Sequence, residues 1–240
     1  MKLKVLGSGS AGNCYLLQNN NETLIIECGL PYKTIMKGLN FNLNTVVGCL
    51  ITHAHQDHCK SIKDILQEGI EVYTSQGTIS SLDIESPFLN TVRPLEQFKV
   101  GGYVVLPFET EHDCEGSMGF LIQHEEIGKL LFITDSFYCK YKFNNLSHIM
   151  IECNYSMPIL SQNMERGNIP NSLKNRLLKS HFSLEHVKEF LKANDLSQVK
   201  DITLIHLSDG NSNAREFKTE IERLTGIQTY IAEKGLEVEL

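Results

Sequence analysis

Residues 51–59 read ITHAHQDHC and place three histidines and an aspartate within six positions, directly after the apolar run VVGCLI. Imidazoles crowded at a strand exit are partly desolvated and repel one another once protonated, so stability gives no reason for them. In an extended segment residues i and i+2 point the same way, so His53 and His55 can grip one ion. Asp57 and His58 then turn toward a neighbouring point. Imidazole nitrogen and carboxylate oxygen without thiolate suit Zn²⁺, with Mn²⁺ or Fe²⁺ as further candidates. A satisfied histidine cluster at a helix start is the plain alternative, but H-x-H-x-D-H after an apolar strand is a specific pattern. More donors end β-rich runs: His112 in FETEHD, Asp135 in LLFITDS and His206 in TLIHLS. One histidine at a strand end is usually a surface or core residue; three such donors behind a dense cluster point to a metal site.

These side chains need rigid elements to aim them. KLKVLG (2–7), ETLIIEC (22–28) and VVGCLI (46–51) read as strands, with a short helix around PYKTIMKGL between the last two. Helix KSIKDILQE (60–68) follows the histidines, then strand EVYT and another short helix. YVVLPFE (103–109), GFLIQHE (119–125) and KLLFITD (129–135) predict a meander, with EEIG as the turn between the last two. After HIMIECN (148–154) the texture becomes helical, in SMPILSQNME, NSLKNRLLK and SLEHVKEFLKAND. In the last, Leu184, Val187, Phe190 and Leu191 fall at helical spacing behind Ser183 as N-cap. Strand DITLIHL (201–207), helix NAREFKTEIERLTG and strand QTYIAE complete the pattern. No linker, low-complexity segment or tandem repeat interrupts it, so one domain over residues 1–240 with sheets inside and helices outside is expected.

Composition narrows the function. Hydrophobic residues make up 41% and charged residues 21% of 240, as in folded globular proteins. No 18-residue apolar run exists, so no membrane span is expected. MKLKVLGSGSAGN lacks the apolar region of a signal peptide, which predicts a cytoplasmic protein. The seven cysteines are odd in number, widely spaced and free of CxxC, which predicts reduced, buried thiols. Cys59 and Cys114 adjoin candidate histidines, yet most such cysteines are packing residues. Net charge is −7 and no block of five or six basic residues occurs. A long nucleic acid needs several Lys or Arg contacts to phosphate, so the balance favours a small anion captured by metals. Residues 164–181 carry four basic side chains against one acidic, which an ordinary solvated helix face explains.

The order THAHQDH, a later His, a strand-terminal Asp and a late His resembles the metallo-β-lactamase-fold hydrolases over nearly the whole chain. The resemblance implies an α/β fold, a single αβ/βα sandwich. Carried over position by position, it implies that His53, His55 and His112 bind one metal and Asp57, His58 and His206 a second, with Asp135 bridging. These hydrolases usually have Asp where LIIECG has Glu27, a group orienting a metal histidine. Glutamate is one methylene longer, which implies a shifted support.

Two His-x-Ser elements, SHFSLEH (180–186) and IHLSDGN (205–211), together with SGSAGNCYLL and IECNYS, are similar to the branch holding tRNA 3′-processing endonucleases and WalJ-type exonucleases. There the later histidine, here His206, is a ligand, and the earlier one, here His181, faces the leaving group. Within that branch the short, acidic chain, without the inserted arm of the tRNA-processing relatives, looks like the phage anti-Pycsar phosphodiesterases. That resemblance implies hydrolysis of 3′,5′-cyclic mononucleotides (cCMP and cUMP, with cAMP and cGMP beside them) by two Zn²⁺ or Mn²⁺ ions. It also implies a homodimer that counters cyclic-nucleotide immune signalling in a host cytoplasm.

His181 and Asp57 are the candidate catalytic residues. A histidine near its unperturbed pKa of ~6.5 serves as general acid at cell pH, although a helix-cap histidine is the plainer reading of His181. Asn154, Ser183, Ser208 and Asn211 are candidate contacts to phosphate or ribose, each equally legible as a cap or loop residue. Phe182, Tyr138 and Tyr155 are the aromatics near enough in sequence to stack on a base. The rival readings are a metallo-nuclease acting on DNA or RNA, a thioesterase or lactonase, and a nucleotide-binding module without turnover.

Overall fold

Strand β1 (Lys2–Gly7) sets Lys2 and Lys4 against the fully buried Leu3 and Val5, the period-two pattern of a strand with one wet face. The computed structural model describes residues 1–240, the side chain of Asn171 excepted. The chain divides into two units, residues 1–109, 114–127 and 232–240 in the first and residues 110–113 and 128–231 in the second.

In the first unit β1, β2 (Cys14–Gln18), β3 (Thr23–Ile26), β4 (Val46–Leu50), β5 (Val72–Thr74) and β6 (Leu89–Thr91) lie side by side in chain order, with the last strand (Glu237–Glu239) beyond β1. Pairing is antiparallel up to β3 and parallel from β3 to β6. In the parallel part Ile26 pairs with Leu50, so Glu27 and the ITHAH segment leave the sheet at the same edge. Helices α1 (Tyr32–Gly38), α2 (Gln56–Cys59), α3 (Ile62–Gln67) and α4 (Gln76–Leu82) intervene. Ile35, Ile62 and Ile65 bury against Leu16, Ile25, Ile51 and Val72. Strands β7 (Phe98–Val100), β8 (Tyr103–Glu109) and β9 (Met118–His124) pair antiparallel.

The second unit is built on four parallel strands, β10 (Gly128–Ile133), β11 (His148–Glu152), β12 (Asp201–Ile205) and β13 (Gln228–Ile231). Parallel neighbours need crossovers, which α7 (Leu184–Ala193) and α8 (Ala214–Thr225) supply after α5 (Met157–Glu165) and α6 (Asn171–Ser180). Helix α7 buries Leu184, Val187, Phe190 and Leu191, each contributing about 1.5–3 kcal/mol. Ser183 Oγ accepts the His186 N–H at 3.2 Å, the cap expected there. Helix α8 starts at the Asn213 cap and ends at Gly226, whose φ of 71° suits glycine. Asp135, Glu152 and His206 follow or end three neighbouring parallel strands. Ligands of α/β sheets bind at these carboxyl ends.

The sequence expectations hold for most elements and fail in identifiable places. The strands predicted at 103–109, 119–125 and 129–135 are present as β8, β9 and β10, and β10 also begins the parallel set. Strand β2 was legible only as a motif, because CYLL is buried throughout and has no alternation. Strands β6, β7 and the last are three residues each, too short to carry a pattern. Residues 56–59 form a helical turn, which redirects Asp57 and His58 after the extended segment. No helix of the described residues is long and apolar enough to cross a membrane.

Candidate functional site

In the first unit the ITHAH segment leaves β4 in extended conformation and then coils into α2, so its side chains fan out in two directions. His53 Nε2 and His55 Nδ1 lie 3.0 Å apart. Two nitrogens on one tetrahedral zinc, with Zn–N of about 2.0–2.1 Å, stand roughly 3.3 Å apart, so this pair already has the spacing of co-ligands. His53 Nδ1 meets the Thr52 hydroxyl at 2.9 Å, which turns Nε2 toward His55. The turn of α2 brings Asp57 Oδ2 to 3.3 Å from His58 Nε2. The His53 and His58 rings are 4.2 Å apart, centre to centre. His53 and His58 are buried and Asp57 is about a quarter exposed.

Glu27 backs this group. It is fully buried, its Oε1 lies 3.5 Å from His58 Nδ1 and the same oxygen accepts the Thr52 N–H at 3.3 Å. A carboxylate on Nδ1 leaves Nε2 of His58 for a metal. The Glu27 backbone is left-handed, with φ of 65°. Cys59 is a packing residue, its thiol donating to the Ala54 and His55 carbonyls at 3.2 Å and pushed up to about 12 by burial. Every cysteine is a free thiol and all but Cys114 are buried.

In the second unit Asp135, Glu152, His181 and His206 offer ligand atoms all within 4.8 Å of one another. His206 Nδ1 approaches Asp135 Oδ1 at 2.5 Å and Glu152 Oε1 at 3.1 Å. His181 Nδ1 donates to Glu152 Oε1 at 2.6 Å. His112 Nδ1 donates to the Ser180 carbonyl at 2.9 Å, which leaves Nε2 as its lone-pair nitrogen, 3.7 Å from Asp135 Oδ2. Burial pulls the His112 pKa down, so its ring stays neutral, as a metal ligand must. Burial pulls His181 down as well, but the Glu152 carboxylate outweighs it and raises the net value. Glu152 would itself be raised by burial, yet His181 beside it holds it below the ordinary carboxylate range.

Asp135 and His206 are left-handed, at φ of 45° and 52°. Such backbone costs on the order of 1–3 kcal/mol per residue and persists where the surroundings impose it. Together with Glu27, three site residues at strand ends carry this cost, which re-aims each side chain as the strand stops.

Glu152 was not singled out from the sequence. Its signal was present: a glutamate closing the buried strand HIMIE has no solvent to face and must have polar partners. Its Oε2 accepts the Ser136 and Phe182 N–H groups at 3.2 and 3.1 Å, so the carboxylate joins three loops.

The four candidate substrate contacts have defined partners. Asn154 Nδ2 donates to the His206 carbonyl at 2.9 Å, which supports the loop that carries His206. Ser183 caps α7. Ser208 Oγ accepts the Asn211 N–H at 3.3 Å, and Asn211 Oδ1 accepts from Asn163 at 3.0 Å. Of the aromatics, Tyr155 is fully buried among Leu160 and Leu177, away from solvent. Phe182 and the half-exposed Tyr138 both line one cavity of about 170 Å³.

The described donors, imidazole and carboxylate alone, suit a hard or borderline divalent cation. Comparison with known structures decides the architecture. The metallo-β-lactamase fold protein YhfI from Bacillus subtilis superimposes with a TM-score of 0.73 at 15% identity, over 99% of both chains.

This chain has the metallo-β-lactamase fold.

Within that fold the sequence relations are more specific. A family model described as Anti-Pycsar protein Apyc1 matches residues 1–76. The Anti-Pycsar protein Apyc1 of Bacillus phage 010DV004 is 33% identical over 72 residues, 27% of this chain and 28% of that one. The exodeoxyribonuclease YycJ of Bacillus anthracis is 27% identical over 255 residues, 99% of this chain and 92% of that one. Both relations agree with the resemblance drawn from THAHQDH and SGSAGNCYLL. With these donors in a metallo-β-lactamase fold, the chain is a metal-dependent hydrolase.

Proposed function

We propose that the chain opens 3′,5′-cyclic mononucleotides to their monoesters. The observation that carries this is the match of residues 1–76 to the anti-Pycsar family, since that segment contains Glu27 and all of His53, His55, Asp57 and His58. In this reading His53, His55 and His112 would hold one divalent cation and Asp57, His58 and His206 a second, with Asp135 as a further carboxylate ligand. Zn²⁺ suits the donors best and Mn²⁺ second. When bound, the two cations supply a water ionised near neutral pH and positive charge against the phosphate.

The chain's own residues do the rest. Glu152 fixes His181 with its proton on Nδ1, so Nε2 is the atom that meets the substrate. Glu152 raises the His181 pKa above its ordinary value, which favours the charged ring, and the Nε2 proton passes to the ribose oxygen as the phosphorus–oxygen bond breaks, so that oxygen leaves as a hydroxyl. The net charge of −7 without a basic block supports a small anionic substrate over a polymer. We read the working form as a homodimer in the cytoplasm, that of the host if a phage carries the chain, where it would counter cyclic-nucleotide signalling.

A nuclease acting on DNA is the second reading, favoured by the near full-length relation to YycJ. One experiment separates them. Metal-loaded protein is incubated with cCMP, cUMP, cAMP and cGMP and with 5′-phosphorylated DNA. Consumption of cyclic mononucleotides supports the proposal, and degradation of DNA alone transfers the chain to the nucleases.

A further inference from the structure

We infer that Asn13 is a positioning residue for Asp57 and His58, which rests on reading those two as cation ligands. Helix α2 is one turn of four residues. Such a turn is not stable alone, because nucleation fixes several residues for one hydrogen bond. Its last carbonyls have no partners within the turn and must find them elsewhere.

The strand ends of the first unit provide those partners. The Asp57 carbonyl accepts twice from one residue, from the Asn13 backbone N–H at 2.8 Å and from Asn13 Nδ2 at 3.1 Å. The His58 carbonyl accepts the Cys28 N–H at 2.8 Å. Asn13 is in turn held by its loop: Oδ1 accepts the Gly9 N–H at 2.8 Å, and its own carbonyl accepts the Gly29 N–H at 2.9 Å. It is buried, and Nδ2 stands 3.3 Å from His58 Nε2, beside the nitrogen that would face the cation.

The glycines around it are shaped to this contact. A β-carbon on Gly29 would lie 1.7 Å from the Asp57 carbonyl oxygen. One on Gly12, at φ of 137°, would lie 2.4 Å from the Gly29 carbonyl oxygen. The SGSAGN stretch is therefore a clamp whose closing residue sets where α2 points its two ligands.

The test measures zinc affinity by competition with a chromophoric chelator and the visible spectrum of the Co²⁺-loaded protein, without reference to activity. Asn13→Ala and Asn13→Ser are compared with wild type, with Gly29→Ala as an independent disruption and the exposed Ser10→Ala as loop control. Loss of a group that orients ligands typically costs 10–100-fold in metal affinity. That loss, with an altered Co²⁺ spectrum, is expected for both Asn13 variants and Gly29→Ala but not for Ser10→Ala. Folded Asn13 variants with wild-type affinity and spectrum overturn the inference, as does failure of both to fold, which would assign Asn13 to folding. Wild-type protein that binds no cation would instead remove the ligand reading beneath it.

Discussion

His181 and Glu152 face each other at 2.6 Å, ring Nδ1 to carboxylate Oε1, with the carboxylate fully buried and the ring only slightly exposed. One short bond therefore fixes three properties of the histidine: which nitrogen carries the fixed proton, which way the ring points, and how readily it stays charged. The same carboxylate oxygen lies 3.1 Å from His206, so Glu152 ties the proposed acid to a proposed ligand.

Replacing His181 with alanine should leave metal content at the wild-type level and cut kcat by about 10² to 10⁴, the usual worth of general acid–base catalysis. Metal analysis and steady-state kinetics on one sample check this. Loss of metal alongside activity would make His181 a ligand.

The pH dependence follows from the same pair. His181 has a folded pKa raised above the unfolded value of ~6.5. Its contribution to stability is thus complete below that unfolded value and is lost as pH rises through the raised one. Turnover that needs the charged ring should fall over the same alkaline window. Glu152→Gln removes the carboxylate charge, so the alkaline limb of the kcat profile should move to lower pH. An unmoved limb would mean that another group sets it.

Asp135→Ala should abolish stable metal binding, because its carboxylate approaches both His112 and His206. Elemental analysis after gel filtration should find metal falling toward zero, and wild-type content would refute the ligand role.

Glu27 supports His58 from behind. Glu27→Gln keeps the size but removes the charge, and should weaken zinc binding by about 10–100-fold while the fold persists. An unchanged dissociation constant in a chelator competition would make Glu27 a core residue only.

Much of this was legible before any coordinates. THAHQDH announced candidate ligands because no structural need explains so many imidazoles at one strand exit. His112, Asp135 and His206 each ended a β-rich run, and helix α7 showed its cap and apolar face. Glu152 was not legible in the same way, since one acidic residue at the end of HIMIE has no spacing partner, and its meaning arises only when β11 lies beside β12 with Glu152 opposite Ile205. The left-handed turns at Glu27, Asp135 and His206 were also hidden, because none of the three is glycine. Ser183 and Asn211 show the opposite limit: hydroxyl and amide groups near a motif served caps and loops equally well on paper, and their hydrogen bonds in the fold are of that kind.

The most direct test is a phosphorus NMR time course on cUMP with purified chain, once loaded with Zn²⁺ or Mn²⁺ and once stripped by chelator. The account predicts that the cyclic diester resonance converts to a monoester resonance with the loaded protein, that stripping stops it, and that restoring the cation restarts it. A diester signal that persists beside fully loaded protein, or one that decays equally after stripping, would contradict it.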